Sequence, residues 1–153
     1  MRRVSVLLAI LCLGAAGRVG AQTASSPVAG VVRPDGTPVR WSGWVERRAP
    51  AAVLLWASWT PRADAVLAEV PALVKVCRNR GLRFVLIDVG EPLDEASRAL
   101  SKTKVDWLHD RHGSILKRYR VVQVPRIVIL GRDGRVLAKL KPEARAVAGW
   151  KGR

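Results

Sequence analysis

The segment Ala51-Ala-Val-Leu-Leu-Trp-Ala-Ser-Trp-Thr-Pro-Arg-Ala63 decides how the rest of this chain is read. Ala51 to Ala57 is an unbroken apolar run, the signature of a strand covered on both faces. A helix start follows at once. Thr60 suits an N-cap, and Pro61 suits the first helical position, where a missing N–H costs nothing. Val66, Leu67, Val70, Leu73, Val74 and Cys77 then recur in steps of three and four, which predicts one buried stripe. Pro71 interrupts the pattern and predicts a kink, and Gly81 ends the helix.

Outward from this strand–helix unit, the alternation continues. Arg83 to Val89 is a second buried strand. Asp94 to Lys102 reads as a short polar helix, Val105 to Leu108 as a short strand, and Ser114 to Arg120 as another helix. Ile127 to Leu130 and Val136 to Leu140 are strands joined by Gly131-Arg-Asp-Gly-Arg135, a hairpin turn. Glu143 to Trp150 predicts a last helix. On the N-terminal side, Pro34-Asp35-Gly36 marks a turn between two extended pieces, a second hairpin. The expected fold is α/β: a central mixed β-sheet flanked by helices, with an N-terminal β-hairpin extension. Trp56 belongs to the core, and Trp41 and Trp44 are expected to pack the entry hairpin.

With 153 residues and 49% hydrophobic content, the chain suits one packed domain, placed at residues 31–150. A multidomain enzyme is excluded on length. Two cysteines exclude a disulfide-dense scaffold and a cysteine-built zinc site. Met1-Arg-Arg3, the apolar stretch Val4 to Ala16, and the small-residue end Val19-Gly20-Ala21 form the pattern of a secretory signal. Its apolar run of about 13 residues is shorter than the ~20 that span a bilayer. Residues 1–21 are therefore expected to be a signal peptide cleaved after Ala21, with a retained anchor as the other reading, and residues 22–30 a flexible lead-in. The expected location is the periplasm or cell envelope. The cleaved chain carries 24 basic and 12 acidic residues, net +12, and one cysteine, Cys77.

Four segments, in order, resemble one family. Leu55-Trp-Ala-Ser-Trp-Thr-Pro-Arg-Ala63 is similar to the active-site strand and helix start of thioredoxin-like proteins. It is nearest to the exported TlpA/ResA-like branch of redoxin-type domains, with the pattern F-W-A-[TS]-W-C-x-x-C. Arg33 to Val39 resembles that branch's entry hairpin, and Val121-Val-Gln-Val-Pro125 its segment ending in a cis-proline. Gly131 to Val136 resembles its closing hairpin. The resemblance implies a thioredoxin-like fold over Val31 to Leu140. It also implies a substrate groove beside Val124 and Pro125, with Trp59 as one wall.

The departure from the pattern concerns chemistry. The family's two cysteines fall on Thr60 and Ala63. Thiol–disulfide exchange needs an attacking thiolate and a resolving thiol. A threonine hydroxyl has no accessible anion at neutral pH, and alanine has no nucleophile. The acid that thioredoxins proper place six residues before the first cysteine falls on Leu54. Cys77 lies some 25 Å of helix beyond Thr60, and it reads as a buried structural residue. No catalytic residue and no cofactor is therefore expected.

What remains is a groove of Trp59, Thr60, Pro61, Arg62, Val124, Pro125 and Arg126, open to an extended peptide by strand addition. The other reading is that Pro125 only ends a loop and Trp59 only packs. Arg62, placed in the first helical turn, and Arg126 suggest an anion site at the helix N-terminus with Thr60, unless both are merely solvated. The expected partner is a protein or peptide with negative charge. An oxidoreductase acting through Cys77 or a partner's thiols is the alternative.

Charge is uneven. Gln22 to Asp110 holds 12 basic and 10 acidic residues, and Arg111 to Arg153 holds 12 and two. That basic half also permits an anionic membrane surface or acidic protein as partner. Nucleic acid is not expected, since no aromatic stacking platform accompanies the charge. Asp106, His109, Asp110 and His112 fall in a predicted loop, with too few ligands for a metal site.

Overall fold

The computed structural model describes residues 30–152; the signal peptide and most of the lead-in expected from the sequence lie outside the described residues. The elements are β1 (Val31–Val32), α1 (Trp41–Arg48), β2 (Ala51–Trp56), α2 (Ala63–Asn79), β3 (Arg83–Val89), α3 (Leu93–Ala99), β4 (Trp107–Asp110), α4 (Ser114–Tyr119), β5 (Arg126–Leu130), β6 (Val136–Leu140) and α5 (Ala144–Ala148).

The strands form one mixed sheet in the order β1-β4-β3-β2-β5-β6. β2 pairs parallel with β3, and β3 parallel with β4; the other neighbours are antiparallel. Every residue of β2 is buried, as its unbroken apolar sequence requires of the central strand. Alternation along each strand sends side chains to two cores. On one face Val53, Leu55, Val85 and Ile87 pack with Trp41, Trp44, Ile115 and Tyr119 from α1 and α4. On the other, Leu54, Trp56, Leu86 and Ile127 pack with Val66, Val70, Leu73 and Cys77 from α2. The α/β class with a mixed, helix-flanked sheet is the one expected.

Several local expectations are corrected. Trp41 and Trp44 lie on a helix, α1, that the sequence reading does not contain. They stack with ring centroids 4.8 Å apart, and Trp41 Nε1 donates to the Tyr119 hydroxyl at 2.8 Å. Their core also takes Val31 and Val39 from the hairpin, so they cover that hairpin from a helix. α2 itself runs through Pro71 to Asn79 just short of Gly81, in keeping with its apolar stripe. The strand expected at 105–108 lies at Trp107–Asp110, where its register with Leu86 to Val89 fixes it. His109 and Asp110 are thus strand residues, not loop residues.

Candidate functional site

The groove region forms where β2 ends, α2 begins, and the chain enters β5. Thr60 is buried at 6% exposure, and its Oγ1 donates to the Ala57 carbonyl at 2.9 Å. Its own carbonyl accepts from the Ala63 N–H at 3.0 Å. Thr60 is therefore not the N-cap, Pro61 is not the first helical residue, and Arg62 precedes the helix, which begins at Ala63. The physical reason is the Ala57 carbonyl, which sits in a buried turn and takes the hydroxyl that would otherwise cap. With its proton committed there, Thr60 is not a free donor for an anion.

The Val124–Pro125 peptide bond is cis. Two hollows meet beside it, sharing Gln123 and Val124. One, of about 190 Å³, is bordered by Arg62, Arg126 and Lys141 over Val66 and Pro125. The Arg62 guanidinium lies 4.0 Å from Glu143, and Arg126 donates to Gln123 Oε1 at 3.3 Å. The other hollow, of about 290 Å³, is apolar and bordered by Trp59, Val89, Leu116 and Val121. Val122, fully exposed, and Trp59, 64% exposed, both stand at it. The structure thus brings Trp59, Arg62, Val124, Pro125 and Arg126 together, and leaves Thr60 beneath them, facing inward.

Behind this turn lies a polar cluster that the sequence reading missed. Glu91, 4% exposed, accepts from the Ser58 N–H at 2.9 Å and from the Ser58 hydroxyl. Asp88 pairs in register with Trp56 on one side and His109 on the other, and His109 Nδ1 lies 2.8 Å from Asp88 Oδ2. Burial first, then the Glu91 and Asp110 carboxylates, push the Asp88 carboxyl up to about 9. Burial pushes His109 down. Burial alone would raise Glu91, yet Asp88 beside it and the Ser58 contacts more than offset this and hold it low. Burial thus disfavours the charged form of each partner, and one proton lies between Asp88 Oδ2 and His109 Nδ1. Asp88 Oδ1 and His109 Nε2 have no hydrogen-bond partner among the described residues. Asp110 accepts from the Ser114 and Ile115 N–H groups and so caps α4. Among the described residues, no His, Cys, Asp and Glu cluster could hold a metal ion. The one signal in the sequence was Asp88, a lone acid inside a buried run.

Cys77 is fully buried, and burial pushes its thiol up to about 11 against a smaller opposing pull from Arg80. It faces the α2 side of the core, as its place on the apolar stripe predicts.

A family model described as thioredoxin-like matches residues 49–136, and the chain belongs to that family. Its fold is similar to that of a secreted Mycobacterium tuberculosis disulfide oxidoreductase homologous to Escherichia coli DsbE. That match has 24% identity and a TM-score of 0.57, covering 78% of this chain and 94% of that one. It is also similar to a thiol:disulfide interchange protein from Bacteroides sp., at 16% identity and TM-score 0.60, covering 76% and 80%. A third is the exposed lipoprotein thioredoxin Etrx1 of Streptococcus pneumoniae, at 21% and 0.52, covering 76% and 92%. At these identities the likeness is one of fold. No curated protein sequence matches. Among the described residues, no helix is long and apolar enough to cross a membrane.

Proposed function

We propose that this chain is an exported, non-catalytic member of the thioredoxin-like family that grips an extended, negatively charged protein segment at the groove beside Pro125. The observation that carries this reading is the state of its sulfur and hydroxyl groups. Cys77 is the only cysteine among the described residues, and it is fully buried with a thiol pushed up to about 11. Thr60, where the family motif has its first cysteine, points its hydroxyl at Ala57. Neither supplies an accessible thiolate, and without one no mixed disulfide forms.

The groove keeps what binding needs. Val124 forms a cis peptide bond with Pro125, Trp59 and Val122 offer exposed apolar surface, and Arg62, Arg126 and Lys141 offer charge on the adjoining side. An extended segment laid along Val124 would place alternate side chains toward these walls. The secretory pattern of Met1 to Ala21 supports work in the cell envelope, and the secreted disulfide oxidoreductase named above is similar in fold.

The test is a titration with an extended acidic peptide, followed by tryptophan fluorescence. Saturable binding is expected, with the response lost in Trp59→Phe and binding weakened about tenfold in Arg62→Ala/Arg126→Ala. Binding that is unchanged in the double variant contradicts the groove as the site.

A further inference from the structure

A second hollow opens at the opposite end of the sheet. β3 spans seven residues, so Arg83 at its start lies ~20 Å from Val89 at the groove. Here a cavity of about 410 Å³ is bounded by the end of α1, the last turns of α2, the start of β3 and the loop before β4. Its floor is apolar, with Leu82 buried and Val74, Phe84 and Val105 half-buried. Its rim carries Arg48, Arg78, Arg83 and Lys104.

These four cations come from four separate elements, so no single run of sequence brings them together. Like charges gathered around one hollow repel, and one acid faces them. That acid, Asp106, lies 4.0 Å from Arg48 in a pair exposed on both sides, and such a pair holds little. Elsewhere in the chain, arginines use nearby acceptors. Arg80 donates to the Ala148 and Trp150 carbonyls, Arg145 to Glu143, and Arg98 to Asp94. Among the described residues, no ion pair engages Arg78, Arg83 or Lys104. The rim therefore keeps three uncompensated charges over an apolar floor.

We propose that this hollow binds a small soluble dianion on an apolar body, of the aryl phosphate type. Guanidinium groups match the oxygens of such a head in paired hydrogen bonds. Two negative charges answer four cations and one acid better than a single carboxylate does. The apolar body rests on Val74, Leu82, Phe84 and Val105, and beyond Phe84 the hollow adjoins a second, mostly polar one of about 420 Å³ bordered by Arg33, Trp44 and Trp107. The site is independent of the groove and of the reading given to it.

Phe84 is the only phenylalanine in the chain, so fluorophenylalanine labelling places a single ¹⁹F probe on the floor. Phenyl phosphate is titrated against the full exported chain at fixed ionic strength, with phenol and inorganic phosphate as controls. The expected result is a saturable shift with phenyl phosphate that exceeds both controls. It weakens about tenfold in Arg83→Gln/Lys104→Gln and is unchanged in Arg62→Ala/Arg126→Ala. Both rim residues are exposed, so the variants test charge rather than folding. No shift, an equal shift with either control, or an unchanged affinity in the rim variant overturns the proposal. A shift seen only with phosphatidylglycerol vesicles overturns it too, and assigns the face to a membrane.

Discussion

Asp88 on β3 faces His109 on β4 across a parallel strand pair, with Oδ2 2.8 Å from Nδ1 and both side chains buried. The pair lies behind the turn that carries Trp59, joined to it through Glu91 and Ser58. A buried carboxyl raised to about 9 makes the fold sensitive to pH, and the sign can be worked out. The unfolded chain releases this proton near pH 4, whereas the folded chain holds it to about pH 9. The stability it contributes is therefore complete below about pH 4 and is lost as pH rises toward 9. Urea unfolding from pH 5 to 9 should show wild type losing stability more steeply than Asp88→Asn, by up to about 1.4 kcal/mol per pH unit. Equal slopes would show that Asp88 is ionised in the fold.

His109 acts in the opposite direction. Its pKa is pushed down by burial, so its contribution is present above the ordinary imidazole range and lost as pH falls. His109→Gln should unfold less readily in acid relative to its own neutral-pH stability than wild type does. An NMR titration that finds His109 charged near its ordinary pKa contradicts the neutral, Asp88-bonded ring.

Trp41 and Tyr119 tie α1 to α4 across one face of the sheet. Tyr119→Phe removes the acceptor of the buried Trp41 N–H and should cost about 1–3 kcal/mol. Trp41→Ala should cost about 3–5 kcal/mol, measured by chemical unfolding. A smaller loss in both would mean that α1 is not docked as described.

Cys77 should be inert in the native protein. A thiol reagent should label it only at the rate of unfolding, because it is fully buried and its thiolate is disfavoured. Rapid stoichiometric labelling under native conditions would show an accessible thiol.

Trp59 separates binding from folding. Exposed at 64%, it should change stability by less than about 0.5 kcal/mol when replaced by alanine, while acidic peptide binding is lost. A variant that unfolds would return Trp59 to the core.

The parts legible in the sequence are those whose signal is local. β2 and β3 are continuous apolar runs, and the buried stripe of α2 follows from its spacing, Cys77 included. α1 was not legible. Trp41-Ser-Gly-Trp-Val-Glu-Arg-Arg48 has weak helix formers and no side-chain cap, so it is helical because Trp41 and Trp44 pack on the sheet and on Tyr119. At Thr60 a good local cap signal lost to a tertiary one, the buried Ala57 carbonyl. The sequence neighbours of His109 do not reveal its partner, because Asp88 stands 21 residues away and is brought there by strand register. The groove residues were legible through the family pattern; the Asp88, Glu91 and Ser58 network was not, because no spacing announces it.

The proposed function requires a fold that binds at its groove without transferring electrons. The most direct measurement is reduction of insulin by dithiothreitol in the presence of the purified chain, beside Thr60→Cys/Ala63→Cys and Cys77→Ser. Wild type is expected to leave the uncatalysed rate unchanged. Acceleration by wild type that Cys77→Ser abolishes would contradict it.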